Sequence, residues 1–136
     1  MRRKFSFSVL FAVAALAGGC RVERIVLEEP VRDRFVEICT DDHVVVRLEE
    51  NGTTGFQWRA KCADPLVDVT LEHEPGDSSG GLVGAPGLAT VHLRVRRGFI
   101  GPAVVYLSYE RSWSGERARE VKLELHRRRT DVAVWR

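Results

Sequence analysis

The stretch V-V-V-R-L-E-E-N-G-T-T-G-F-Q-W-R, residues 44–59, decides the fold. Val44, Val46 and Leu48 alternate with Val45 and Arg47, and Phe56 and Trp58 alternate with Gln57 and Arg59. A period of two is the side-chain repeat of a β-strand with one face turned to a core. Between the two runs stands Asn51-Gly52, a strong reversal signal because both residue types tolerate the left-handed backbone of tight turns. Two strands joined by a short loop are therefore expected.

The same pattern continues outward from this pair. Val36 and Ile38 alternate with Glu37 and Cys39; Val67, Val69 and Leu71 follow; Val91, Leu93 and Val95 face away from His92, Arg94 and Arg96. A run over 103–109 comes next, and last Val121, Leu123 and Leu125 against Lys122, Glu124 and His126. Turn residues separate the runs: Asp41-Asp42, Asp64-Pro65, Pro75-Gly76, Arg97-Gly98 and Ser114-Gly115. No segment after Cys20 sustains a helical period. The expectation is an all-β, antiparallel β-sandwich of about seven strands over residues 31–129, with 20–30 as a tether and 130–136 as a tail or edge strand.

The chain has 136 residues, room for one compact domain. Its formal net charge of +2 is unevenly placed, because Arg2, Arg3 and Lys4 crowd the start and no acid precedes Glu23. A basic n-region, an apolar run over 5–17 and the small residues Gly18, Gly19 and Cys20 have the shape of a signal peptide, residues 1–19. The run is shorter than the roughly 20 apolar residues that span a bilayer. The string L-A-G-G-C, residues 16–20, resembles the lipobox of bacterial lipoproteins, with Ala17 where an aliphatic residue is usual. That implies a lipid anchor on Cys20 and a place in the bacterial cell envelope, periplasm-facing or at the surface; ordinary secretion is the alternative. Without the leader, 18 cations face 19 acids, so no basic field remains to attract nucleic acid. With Cys20 as anchor, Cys39 and Cys62 are left as a disulfide pair in an oxidising compartment.

Catalytic constellations are missing from the sequence. His43, His73, His92 and His126 show no metal-ligand spacing, and there is no G-x-S-x-G elbow or phosphate loop. The acidic pair Glu49-Glu50 reads as a solubilising strand end. No enzyme, metal or cofactor is expected. The unusual chemistry is in three connections: N-G-T-T-G (51–55), a Gly-rich segment (75–87) and E-R-S-W-S-G (110–115). In strands that alternate up and down, every second connection lies at the same end. These three are separated by plain connections, so they meet at one end, as binding loops do on a rigid β-scaffold.

The strings N-G-T-T-G-F-Q-W (51–58), L-V-G-A-P-G (82–87) and Y-E-R-S-W (109–113), in this order, resemble the three motifs of chagasin-type inhibitors of papain-like cysteine proteases. The resemblance spans 44–125 and implies an immunoglobulin-like sandwich and non-covalent, reversible inhibition by a monomer. Carried over by position, Asn51, Gly52, Thr53, Thr54 and Gly55 form a wedge for the catalytic cleft. Gly84, Ala85, Pro86 and Gly87 form one flank, and Arg111, Ser112 and Trp113 the other. Gly52 and Ser112 stand where the family prefers proline. An envelope-anchored β-sandwich that binds a different ligand, such as an adhesion module, is the alternative reading.

Overall fold

The computed structural model describes residues 23–29, 31–76 and 85–129. The chain forms eight strands: β1 (Arg24–Leu27), β2 (Arg34–Ile38), β3 (His43–Glu50), β4 (Phe56–Cys62), β5 (Val67–Glu74), β6 (Gly87–Val95), β7 (Ala103–Arg111) and β8 (Arg117–Arg127). A single 3-10 turn, Gly52–Thr54, is the only helical element among the described residues. Two four-stranded sheets, ordered β1-β3-β6-β5 and β2-β8-β7-β4, pack face to face.

The alternation seen in the sequence sorts the faces. Val44, Val46 and Leu48 of β3, Val91, Leu93 and Val95 of β6, Val105 and Leu107 of β7, and Val121, Leu123 and Leu125 of β8 are buried in one shared core. Trp58 of β4 is the largest fully buried side chain. Its outward neighbours Gln57 and Arg59 are exposed.

Three expectations need correction. The sheets are mixed: β1 pairs parallel with β3, and β2 parallel with β8. Strand direction still alternates along the chain, but an even number of reversals separates each of these two pairs, which makes the neighbours parallel. The strand count is eight because Arg24–Leu27, inside the expected tether, is a strand. It inserts Leu27 into the core and fixes its start through the Glu23 carbonyl, which accepts from His43 N–H at 3.0 Å.

The third correction concerns the cysteines. Cys39 is disulfide-bonded, but Cys62 is a free thiol, so the pairing Cys39–Cys62 does not exist. The topology forbids it. Cys39 follows β2 and Cys62 ends β4, the two opposite edges of one sheet. Three strand spacings of about 4.8 Å separate those edges, while a disulfide needs Cα atoms within about 7 Å. Burial pushes the Cys62 thiol pKa up, with the Asp64 backbone hydrogen bond working against it. The expected signal peptide, Cys20, Gly84 and the tail 130–136 lie outside the described residues.

Candidate functional site: three loops at one end of the sandwich

The registers place the three unusual connections together. Glu50 at the end of β3 pairs with Gly87 at the start of β6, and Glu74 at the end of β5 pairs with Leu88. In the other sheet Phe56 at the start of β4 pairs with Arg111 at the end of β7, and Glu110 pairs with Arg117 of β8. The connections 51–55, 75–86 and 112–116 therefore leave the sandwich at the same end. The plain connections 39–42, 63–66 and 96–102 lie at the other.

The first loop is held by its own polar groups. Asn51 caps the 3-10 turn: its Oδ1 accepts from Thr53 N–H at 3.1 Å and from the Thr53 hydroxyl at 2.6 Å. The Thr54 hydroxyl donates to the Asn51 carbonyl at 2.8 Å. Gly55 closes the turn at φ +76°, a left-handed conformation in which a side chain would be strained. Both threonines are exposed, and with their hydroxyl protons used inside the loop, the outward oxygen lone pairs are acceptors.

The third loop is locked onto the first. Arg111 Nε donates to the Thr54 carbonyl at 3.3 Å, and its Nη1 pairs with Glu116 Oε2 at 3.0 Å. The guanidinium lies 4.4 Å from the Phe56 ring centroid and 5.6 Å from that of Trp113. Trp113 rests on Gly55, where an added methyl group would stand 1.9 Å from Cη2 of the indole. The indole is nonetheless 73% exposed, an apolar surface held in one place and left uncovered. Ser114 and Gly115 N–H groups both donate to the Arg111 carbonyl, so Ser112 and Trp113 are the corner of a tight turn.

The second loop is tied at its mouth. A Cβ on Gly76 would lie 2.2 Å from the Ala85 carbonyl oxygen, and one on Gly87 would lie 2.5 Å from that of Glu74 and 3.4 Å from that of Glu50. Close main-chain approach thus demands glycine at both positions and brings 75–76, 85–87 and the end of β3 together.

Beneath the loops is a polar layer not foreseen from the sequence. Glu50 is buried, not a solubilising strand end: Oε2 accepts from Trp58 N–H at 2.8 Å, and Oε1 lies 2.9 Å from His73 Nδ1. The carboxylate joins β3, β4 and β5 at the base of the first loop. Tyr109 Oη accepts from Asn51 N–H at 3.0 Å, while its ring stacks on Trp58. The available signal was parity: Glu50 occupies an inward position in the series Val44, Val46, Leu48, Glu50. No set of three or more His, Cys, Asp or Glu side chains among the described residues is arranged to hold a metal.

Two interlocked loops at one end of the sandwich, a third tied beside them and an exposed tryptophan held on the first form a surface suited to binding. The profile of the chagasin family peptidase inhibitor I42 matches residues 37–126, and the chain belongs to that family. It is an inhibitor-family protein and not an enzyme. No curated protein sequence matches it. The crystal structure of the cysteine protease inhibitor EhICP2 from Entamoeba histolytica is similar at 23% identity and a TM-score of 0.64, over 81% of this chain and 100% of that one. The solution structure of amebosin is similar at 20% identity and a TM-score of 0.60, over 77% and 98%. At these identities the two structures bear on the fold alone.

Proposed function

We propose that this protein inhibits papain-like cysteine proteases reversibly and without covalent chemistry, by seating the loops 51–55, 84–87 and 111–113 in and around the catalytic cleft. The observation that carries the reading is the interlock of Thr54, Gly55, Arg111 and Trp113 at the end where the second loop also emerges. Pre-organisation lowers the ordering cost of association. The Thr53 and Thr54 oxygens and the loop carbonyls offer acceptors to a cleft rich in donors. Glycines let main chain approach closely, and Trp113 with Arg111 supplies the residue types of an interface hot spot. No residue of the inhibitor has to react. The basic and apolar leader further supports export, and a monomer suffices because all three loops come from one chain.

The direct test is titration of the chain from Arg21 onward into papain with a small chromogenic substrate. Stoichiometric, reversible loss of hydrolysis is the expected result; full activity at micromolar inhibitor would overturn the reading.

The two missing prolines give a second test. Gly52 is the first residue of the 3-10 turn, its N–H serves no hydrogen bond among the described residues, and open space surrounds the position of a Cβ. Proline is favoured there, as it is at the turn position of Ser112. Each substitution removes about 0.4–1 kcal/mol of free-loop disorder. Gly52→Pro with Ser112→Pro should lower the inhibition constant about tenfold. A looser complex from both variants would mean that bound and free loops differ in shape.

A further inference from the structure

Cys39 is disulfide-bonded and Cys62 is a free thiol. The chain has three cysteines, so the partner that it can itself supply to Cys39 is Cys20. Cys39 is 4% exposed, which bars a cysteine of a second copy unless the fold opens. Cys20 lies outside the described residues, but the main chain leading to it is fixed close by: Glu23, three positions further on, is the first described residue.

Glu23 is held beside Cys39. The fully buried Asp42 accepts from Glu23 N–H at Oδ1 (3.0 Å) and from Cys39 N–H at Oδ2 (2.8 Å), so one carboxylate grips both main chains. The turn 39–42 aims it there, closed by Asp42 N–H donating to the Cys39 carbonyl at 3.1 Å, with Asp41 at φ +75°. Arg128 adds a second tie: its N–H donates to the Ile38 carbonyl at 3.0 Å, and its Nη2 pairs with Glu23 Oε2 at 3.2 Å. Three residues span at most about 10 Å, and a disulfide asks for Cα atoms within about 7 Å. From a Glu23 that shares a carboxylate with Cys39, Cys20 is within reach, whereas Cys62 is on the far edge of the sheet.

We infer that Cys20 and Cys39 form an intrachain disulfide, and that Cys20 therefore carries no lipid. A sulfur bonded to sulfur has no valence left for the thioether of a lipoprotein anchor. The leader offers the matching cut, because Ala15-Leu16-Ala17 has the A-x-A form of an ordinary signal-peptide site. Cleavage after Ala17 releases a soluble chain that begins Gly18-Gly19-Cys20. In the bond-forming step the two thiols together give up two protons and two electrons. A disulfide-bearing oxidant takes the electrons, its own S–S bond breaking to two thiols. The bond closes the stretch 20–39, which contains β1 and β2, one edge strand of each sheet. Each of these short strands pairs parallel with a single neighbour and so has no hairpin partner to hold it. The staple supplies that restraint by removing disorder from the unfolded chain, at the end away from the proposed protease-binding loops.

The test is a disulfide map, which needs no protease and is separate from the papain titration. The chain from Gly18 onward, which retains every buried core residue, is refolded with glutathione disulfide, then unfolded without reductant and alkylated. The expected product is a monomer two hydrogens lighter than the reduced chain before alkylation, with label on Cys62 alone. Trypsin should release peptides 18–21 and 35–47 joined until reductant is added. Reductant should lower the melting temperature by about 10 °C. It should not lower that of Cys20→Ser, which already melts at the reduced value. The full chain with its leader, exported by a bacterium, should be found in the soluble fraction with Gly18 first and the same joined peptides. Label on Cys20, a disulfide-linked dimer, a melting temperature that reductant leaves unchanged, or a diacylglyceryl group on Cys20 of the exported protein would each overturn the proposal.

Discussion

Replacing Trp113 with alanine is expected to weaken inhibition of papain about 30-fold or more, about 2 kcal/mol, with almost no change in thermal stability. The two readouts separate because the indole is 73% exposed in the free protein. Truncating an exposed side chain uncovers little and costs the fold little. In the proposed complex the same ring would be a buried anchor, and truncation would remove its area. Its position is already set by Gly55 beneath it and Arg111 beside it, so little ordering cost offsets the gain. The mechanism can be tested by a double-mutant cycle. Gly55→Ala places a methyl group 1.9 Å from Cη2, which forces the ring away, and strains a backbone at φ +76°. Alone it should weaken inhibition by a factor comparable to Trp113→Ala. In the Trp113→Ala background only the backbone strain of about 1 kcal/mol should remain. Strict additivity of the two, or an inhibition constant within twofold of the parent for Trp113→Ala, would show that the indole is not an anchor.

Much of the architecture is written in residue alternation, and the exceptions have definable causes. Seven strands announce themselves because each buries one face, which makes apolar residues recur at every second position. β1 does not. Only Ile25 and Leu27 of its four residues turn inward, Arg24 and Val26 turn out, and charges crowd both sides. A four-residue edge strand is too short for a periodic signal. Parallel pairing is similarly hidden, since a strand carries the same pattern whichever way its neighbour runs. The wrong cysteine pairing has the same root: sequence spacing says nothing about β2 and β4 being opposite edges of one sheet.

The binding end was legible in its parts and not in its joints. Connection parity placed three loops together, and the registers agree. What no pattern along the chain discloses is contact across it: Arg111 reaching the Thr54 carbonyl, or Tyr109 taking the Asn51 N–H, partners 57 and 58 positions apart. Glu50 is the instructive case. Polarity suggested solvent while parity pointed to the core, and parity won because Trp58 N–H and His73 supply the partners that a buried carboxylate needs.

Trp58→Ala is expected to destabilise the fold by about 3–5 kcal/mol, the range for removing a fully buried aromatic. That is a large share of the 5–15 kcal/mol typical of a whole domain. At about 4 °C per kcal/mol the melting temperature should fall by about 15 °C, measured by circular dichroism. Several losses coincide at this residue. The ring is 1% exposed, stacks on Tyr109 at 5.1 Å between centroids, lies under the Arg119 guanidinium at 5.4 Å, and donates from Nε1 to the Glu49 carbonyl at 2.9 Å. Trp58→Phe keeps most of the packing but orphans the Glu49 carbonyl, so it should cost about 1–3 kcal/mol. Inhibition should weaken in step with stability for both variants, even at temperatures where each remains folded. Tyr109, which holds the Asn51 N–H, is braced by the Trp58 ring, and a loosened Tyr109 frees the first loop at its root. Arg59→Ala on the outward face of the same strand should change neither quantity. A folded Trp58→Ala protein that inhibits papain as tightly as the parent would disconnect the core from the loops and locate all loop order in Asn51, Gly55 and Arg111.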